Sequence, residues 1–277
     1  HLGRGREALS EDTATGRESK AAEFEEADGL ATVRLNTPAL DRRVKEELLA
    51  AVRSAARSST ARAVLFLGSA KAFCVGQDLA EHARTLEERP QDALDTVREH
   101  YNRIVLALEE IRVPVVVGIG GACVGAGLGL AMAGDVRIAA RRAKFGTAFT
   151  GVGLASDSGL AYRLVTCLGQ ARAMELMLLG TVFGADRALE LGLVTEVVDD
   201  DVWQDRAREV ALQLASGPTS AFVAAKREVR SAAVGGRELA ELLEEEAELQ
   251  NQLGRTADHV GAVRSFLNKE KPTFTGD

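Results

Sequence analysis

Asp157 lies in the stretch GVGLASDSGL (151–160) and is the only charged residue between Lys144 and Arg163. A carboxylate among small and apolar residues has two employments. It can cap a following helix, since Asp is a favoured N-cap and SGLAYRLV comes next. It can also move a proton, because an apolar setting disfavours the charged form and raises the pKa toward a working range. The residues alone leave both open.

Two other segments share one logic. VLFLGSAKAFCVGQDL runs strand, loop, then a turn at Gly76, and VVVGIGGACVGAGLGLAMAGD runs strand, loop, then a turn at Gly125 and Gly127 into a helix. Glycine admits positive φ and close approach of a ligand to the backbone. A helix start presents unpaired N–H groups. Two such donors aimed at one point would hold an anion or a developing oxyanion. The plainer reading is that these glycines only allow tight packing.

Other chemistries find no residues to carry them. From Gly118 the dinucleotide pattern G-x-G-x-x-G ends on Cys123 and from Gly125 on Leu130, and neither G-x-x-x-x-G-K-[ST] nor G-x-S-x-G occurs. His1, His82, His100 and His259 are scattered, without metal-ligand spacing, and read as solvated side chains. What remains is backbone donors and one carboxylate, with no metal and no bound redox cofactor.

The elements that must position these groups follow from periodicity. LATVRLN alternates as a strand, RRVKEELLAAVRSAARS has helical spacing, and ARAVLFLGS, VPVVVGIGG and VRIAA read as short buried strands. DALDTVREHYNRIVLALEEI (92–111) predicts one long amphipathic helix. After Gly159 the chain reads as helices LAYRLVTCLG, QARAMELMLLG and GADRALELG, a strand LVTEVV, and three more helices through Leu267. Alternation followed by helices predicts an α/β core with parallel strands and a helical end. Residues 1–22 are charged, lack bulky apolar side chains and read as a tail. The six acids of ELAELLEEEAE (238–248) predict a solvated helix face.

Composition bounds the partners. The 277 residues carry a net charge of −7, are 46% apolar and 4% aromatic, so the core is built mainly from Ala, Val and Leu. The acidic balance argues against nucleic acid, which needs a basic stripe. Val113–Gly134 has 22 uncharged residues, but seven are glycine, which favours strand, turn and helix over a membrane span. Cys74, Cys123 and Cys167, an odd number in apolar settings, read as reduced core residues, and with no secretory signal in sight the expected location is the cytoplasm.

The motifs AFCVGQDL (72–79), GACVGAGLGLAMAGDVRIAA (121–140), AKFGTAFTGVGLASDSGLAYRLVTCLG (143–169), GADRALELGLVTEVV (184–198) and VRSFLNKEKPTF (263–274), in this order and spacing, resemble the crotonase family of enoyl-CoA hydratases and isomerases. The resemblance spans about residues 24–274. It implies a crotonase-like ββα spiral core over 23–215 and a helical C-terminal region, 216–277, that assembles a homo-trimer or hexamer. It implies an acyl-CoA thioester as substrate, with coenzyme A as part of that substrate. It places the two oxyanion donors at the backbone N–H groups of Gln77 and Ala126, where side-chain identity is loosely constrained.

The same resemblance implies substrate contacts at Lys71, Ala72, Val75, Gly76, Asp78 and Leu79. It adds Gly125 and Phe149, with Phe266 and Lys269 reaching over from a neighbouring subunit. The adenine end would lie near the loop after Asn36, where NTPALDRR departs from the family pattern and where Arg42 and Arg43 read equally well as surface charges. Where the family's hydratases carry two water-holding glutamates, this chain has Gly129 and Phe149. Asp157 falls where some isomerases carry their aspartate, and GQDL with GLASDSGL resembles most the branch acting on ring-1,2-epoxyphenylacetyl-CoA. The expected activity is a double-bond shift, or its ring-opened equivalent, in phenylacetate or fatty acid degradation. The alternatives are a hydratase with a nonstandard water site and a silent acyl-CoA-binding subunit.

Overall fold

A computed structural model describes residues 19–277. The chain enters through an antiparallel pair, β1 (Ala22–Ala27) and β2 (Leu30–Leu35), then the short β3 (Ala39–Leu40) and helix α1 (Arg42–Arg57). From there it winds. The first coil is β4 (Ala63–Leu67), β5 (Ala72–Cys74), β6 (Gly76–Gln77), α2 (Leu79–Glu88) and α3 (Asn102–Glu109). The second is β7 (Val115–Ile119), β8 (Ala122–Val124) and α4 (Ala126–Met132). The third is β9 (Val136–Ala140), β10 (Lys144–Gly146), α5 (Leu160–Leu168), α6 (Gln170–Leu179), β11 (Phe183–Gly184), α7 (Ala185–Glu190) and β12 (Glu196–Val198). Helices α8 (Trp203–Ala215), α9 (Thr219–Ala233), α10 (Leu239–Leu253) and α11 (Ala257–Leu267) complete the described chain, four where the sequence suggested three.

Each coil gives its first strand to one sheet and its second to another. The larger sheet has the order β1-β2-β4-β7-β9-β12 and is parallel from β2 onward; the smaller has the order β11-β10-β8-β5. β4 and β7 are buried along their whole length, as expected for parallel strands covered on both faces. One face packs on Val44, Leu48 and Val52 of α1. The other packs on α8, whose Trp203, Ala207 and Ala211 recur every four residues. Glycine is required beneath that tryptophan: a Cβ at Gly120 would lie 2.3 Å from the indole.

Several local expectations need correction. The stretch 92–111 is not one α-helix: a π-type turn, Val97–Tyr101, precedes α3 and buries the adjacent His100 and Tyr101 together. His100 is therefore a buried histidine, not a solvated one. Within the supposed tail, Ala21 and Ala22 are buried and donate their backbone N–H groups to Glu47 Oε2 at 2.6 and 3.2 Å; positions 1–18 lie outside the described residues. Glu245 leaves the solvated acidic face of α10 and is buried against Arg227 and Arg237. Cys74 and Cys123 are core residues, but Cys167 is exposed. The uncharged 113–134 stretch resolves into β7, β8 and the seven-residue α4, and among the described residues no helix is long and apolar enough to cross a membrane.

Candidate active site

The two glycine turns meet. Gly76 has φ +83° and Gly125 +58°, conformations that exclude most side chains. A Cβ built on Gly76 would stand 3.5 Å from the Ala126 nitrogen. Ala126 opens α4 directly after Gly125, so its N–H has no intrahelical acceptor. Gln77 lies in β6 opposite Leu40, and the ladder donors on either side, Val75 N–H and Asp78 N–H, are committed to Pro38 and Leu40 oxygens. The packing reading of the glycines holds at other positions: a Cβ at Gly127 would lie 2.0 Å from the Cys74 oxygen and one at Gly121 2.0 Å from the Lys71 oxygen. Conformation is thus the issue at Gly76 and Gly125, and space at Gly121 and Gly127.

Asp157 does not cap α5. The capping position is Gly159, at φ +69°, and no side chain caps there. The carboxylate instead accepts the Ser158 hydroxyl at Oδ1, 2.7 Å away, which leaves Oδ2 without a partner from that side chain. Burial pushes the Asp157 carboxyl up, and the Ser158 hydrogen bond opposes this in part. The acid also lies close to the first turn electrically. The Cys74 thiol is pushed up to about 12, first by burial and, in lesser part, by the Asp157 charge, against the lowering effect of its bond from Gly76 N–H.

Neither flanking position supplies a second acid. Gly129 has no room for any side chain, since a Cβ would lie 2.8 Å from both the Cβ and the carbonyl oxygen of Ser158. Phe149 is buried, with its ring edge 4.0 Å from a Cβ on Gly125, and follows Ala148 at the left-handed φ of +62°. Among the described residues no group of three or more His, Cys, Asp or Glu side chains is disposed to hold a metal.

The Gln77 side chain, expected to be loosely constrained, is held at three points. Its Oε1 accepts from Lys45 Nζ at 3.0 Å and from the Tyr101 hydroxyl at 2.8 Å, and its Nε2 donates to Glu81 at 3.1 Å. Lysine has only donors, so the amide oxygen must face it, and this fixes the amide's orientation. Lys45 is 2% exposed, also donates to Thr96 Oγ1 at 2.7 Å, and stands 5.6 Å from the centre of the Tyr101 ring. Burial pulls its ammonium down, against the raising effect of Glu81. Thr96 in turn bonds His100 Nδ1 at 3.0 Å. A cavity of about 290 Å³ opens beside this cluster, lined by Gln77, Lys45, Glu81, Thr96 and His100 among others. Lys45 carries no motif of its own, but it shares the 45, 48, 49, 52 stripe with Leu48, Leu49 and Val52, all buried. A lysine on an apolar stripe was the available signal.

The remaining sequence-derived positions scatter. Ala72 is buried in β5, while Lys71, Val75 and Leu79 are exposed around the first turn. Asp78 caps α2, accepting from Glu81 N–H at 2.8 Å, which is a structural employment. Arg42 pairs with Glu46 and Glu99, and Arg43 with Glu47. Phe266 borders a separate apolar groove of about 370 Å³ on α11, and Lys269 follows that helix at φ +57°. Within one chain, neither is part of the Gln77 cavity.

A two-sheet ββα spiral that brings two glycine turns beside one half-buried acid defines the crotonase fold. The chain belongs to the enoyl-CoA hydratase/isomerase family, whose model matches residues 25–277. It is 39% identical over 258 residues, 91% of this chain and 97% of the other, to a Rhodobacter capsulatus protein named "Probable enoyl-CoA hydratase". It is 36% identical over 252 residues, 90% of this chain and 95% of the other, to the 1,2-epoxyphenylacetyl-CoA isomerase of Escherichia coli K12. A solved structure from Mycobacterium abscessus, named provisionally as an enoyl-CoA hydratase/isomerase, superposes with a TM-score of 0.90 at 50% identity, covering 93% of this chain and all of the other.

Proposed function

We propose that this enzyme is an acyl-CoA isomerase in which Asp157 moves the proton and the backbone N–H groups of Gln77 and Ala126 hold the thioester oxygen. The observation that carries this reading is the solitary, half-buried, non-capping carboxylate of Asp157 beside the paired turns. On a 3-enoyl thioester the carboxylate takes a proton from C2. The electron pair moves into the thioester, placing charge on its oxygen, where each of the two donors contributes about 10²–10³ in rate. The protonated acid then returns the proton to C4, and the double bond has moved from C3–C4 to C2–C3. One acid-base group suffices for such a relay.

Hydration is the second reading, supported by the name of the Rhodobacter capsulatus relative. It asks for a second acid-base group to place water and deliver a proton, and positions 129 and 149 offer glycine and phenylalanine. The name of the Escherichia coli relative brings the 1,2-epoxide of phenylacetyl-CoA into the substrate panel. Assembly as a homo-trimer or hexamer is part of the proposal, supported by the exposed Phe266 and Leu267 of α11.

The test is a panel of 3-enoyl-, 2-enoyl- and ring-epoxide CoA thioesters followed by NMR in deuterated water. Double-bond migration with label at C2 or C4 supports the isomerase. Water addition to crotonoyl-CoA as the main reaction supports the hydratase. Binding without exchange or turnover marks a silent acyl-CoA-binding subunit.

A further inference from the structure

The donor turn at Gln77 is backed by charge that the proton relay does not use. We propose that Lys45 and Tyr101, by gripping the Gln77 amide, are positioning residues that aim the Gln77 backbone N–H at the substrate's thioester oxygen. This rests on the donor role proposed above for that N–H.

The argument starts from the cost of the arrangement. A fully buried lysine is an expensive residue, retained only where its ammonium is paired and hydrogen-bonded. Lys45 directs its hydrogen bonds at Gln77 and Thr96, while its carboxylate partner Glu81 is 3.6 Å away and itself receives Gln77 Nε2. The amide of Gln77 is thus the shared member of a closed ring: Lys45 to Gln77, Gln77 to Glu81, Glu81 back to Lys45. Tyr101 fills the second acceptor site of the same oxygen. Gln77 directly follows Gly76, at φ +83°, and the backbone bonds of Val75 and Asp78 to Pro38 and Leu40 hold the turn only on either side of it. The side chain of Gln77 adds a further hold to those backbone bonds and thereby helps set the direction of its own N–H. The π-type turn at 97–101 serves the same end, because it turns Thr96, His100 and Tyr101 toward one centre. Single-turn π insertions recur at such places.

The experiment measures aim separately from turnover. In an Asp157→Asn background, which removes the proton relay, the carbonyl stretch of a bound ¹³C-labelled cinnamoyl-CoA is read by isotope-edited infrared. The unaltered turn should shift this band to lower frequency on binding. Lys45→Met, Gln77→Ala and Tyr101→Phe should each return part of the shift; Tyr101→Phe deletes one oxygen and keeps the ring in place. In the otherwise native enzyme, Lys45→Met and Gln77→Ala should each lower kcat about 10-fold or more with little change in KM. Their double variant should be scarcely worse than Gln77→Ala alone, because residues acting through one another are not additive. Folded variants that keep the full band shift, or losses that multiply, would overturn the inference and leave the donor role standing. No band shift in the unaltered turn would overturn the donor role, and the inference with it.

Discussion

Gly129 and Ser158 are in backbone-to-backbone contact: a Cβ added at 129 would stand 2.8 Å from the Cβ and from the carbonyl oxygen of Ser158. Helix α4 thereby presses on the segment that carries Asp157. Gly129→Ala gains helix propensity, but overpacking outweighs it, and a net loss of about 1–3 kcal/mol is expected. At roughly 2–4 °C per kcal/mol for a domain of this size, calorimetry should show a lowered Tm. Turnover should fall as well, since the clash displaces Asp157. A Tm at or above that of the native enzyme would show that the contact is slack. Gly129→Glu should likewise fail to create a hydratase.

Asp157→Asn separates chemistry from architecture. Asparagine cannot accept the proton, so isomerase kcat should drop about 10²–10⁴. Since the carboxylate caps no helix, folding should not suffer. Burial raises the folded pKa, so the folded state holds this proton more tightly than the unfolded chain. The contribution of Asp157 to stability is therefore present below the unfolded pKa and is lost as pH rises through the folded one. Above that range the asparagine variant should melt no lower than the native enzyme. A marked drop in its Tm at neutral pH would assign Asp157 a structural role.

Ser158→Ala tests the hydrogen bond that holds this acid down. The hydroxyl favours the charged carboxylate, so its removal leaves burial unopposed and raises the pKa further. The base form is the active one in the first proton transfer. The acid limb of kcat/KM should therefore move to higher pH in Ser158→Ala. A limb that stays in place would show that another group governs it.

Oligomerisation should depend on the open apolar face of α11. Phe266 is 82% and Leu267 75% exposed in the single chain. Phe266→Glu with Leu267→Glu should leave the fold intact by circular dichroism and reduce the mass seen by light scattering to that of one chain. An unchanged assembly would place the interface elsewhere.

How much of this was legible in the sequence varies with the length of the signal. β4 and β7 show as unbroken apolar runs, and both glycine turns show as punctuation after them. The strands of the smaller sheet do not show, because β5, β8 and β10 are three residues each, β8 lies between two glycines and β10 ends on Gly146. Three residues carry no measurable period. Asp157 stood out by being alone, but its helical neighbour could not reveal that Gly159 takes the capping position. The grip on Gln77 was hidden for a different reason. Lys45, Glu81 and Tyr101 belong to three different elements, and only the winding of the chain brings them to one amide.

The spiral also sets an order on the emergence of the site during synthesis. The Gly76 turn comes from the first coil, the Gly125 turn from the second, and Asp157 from the third, after β10 has joined the smaller sheet. Chains grow from the N-terminus, so the coils leave the ribosome in this order. A chain translated through two coils already carries both glycine turns and Lys45, while Gly146, whose oxygen accepts from Gly125 N–H, and the acid are still to come. On the proposed roles, the groups that would hold a thioester are thus translated before the acid that would transform it.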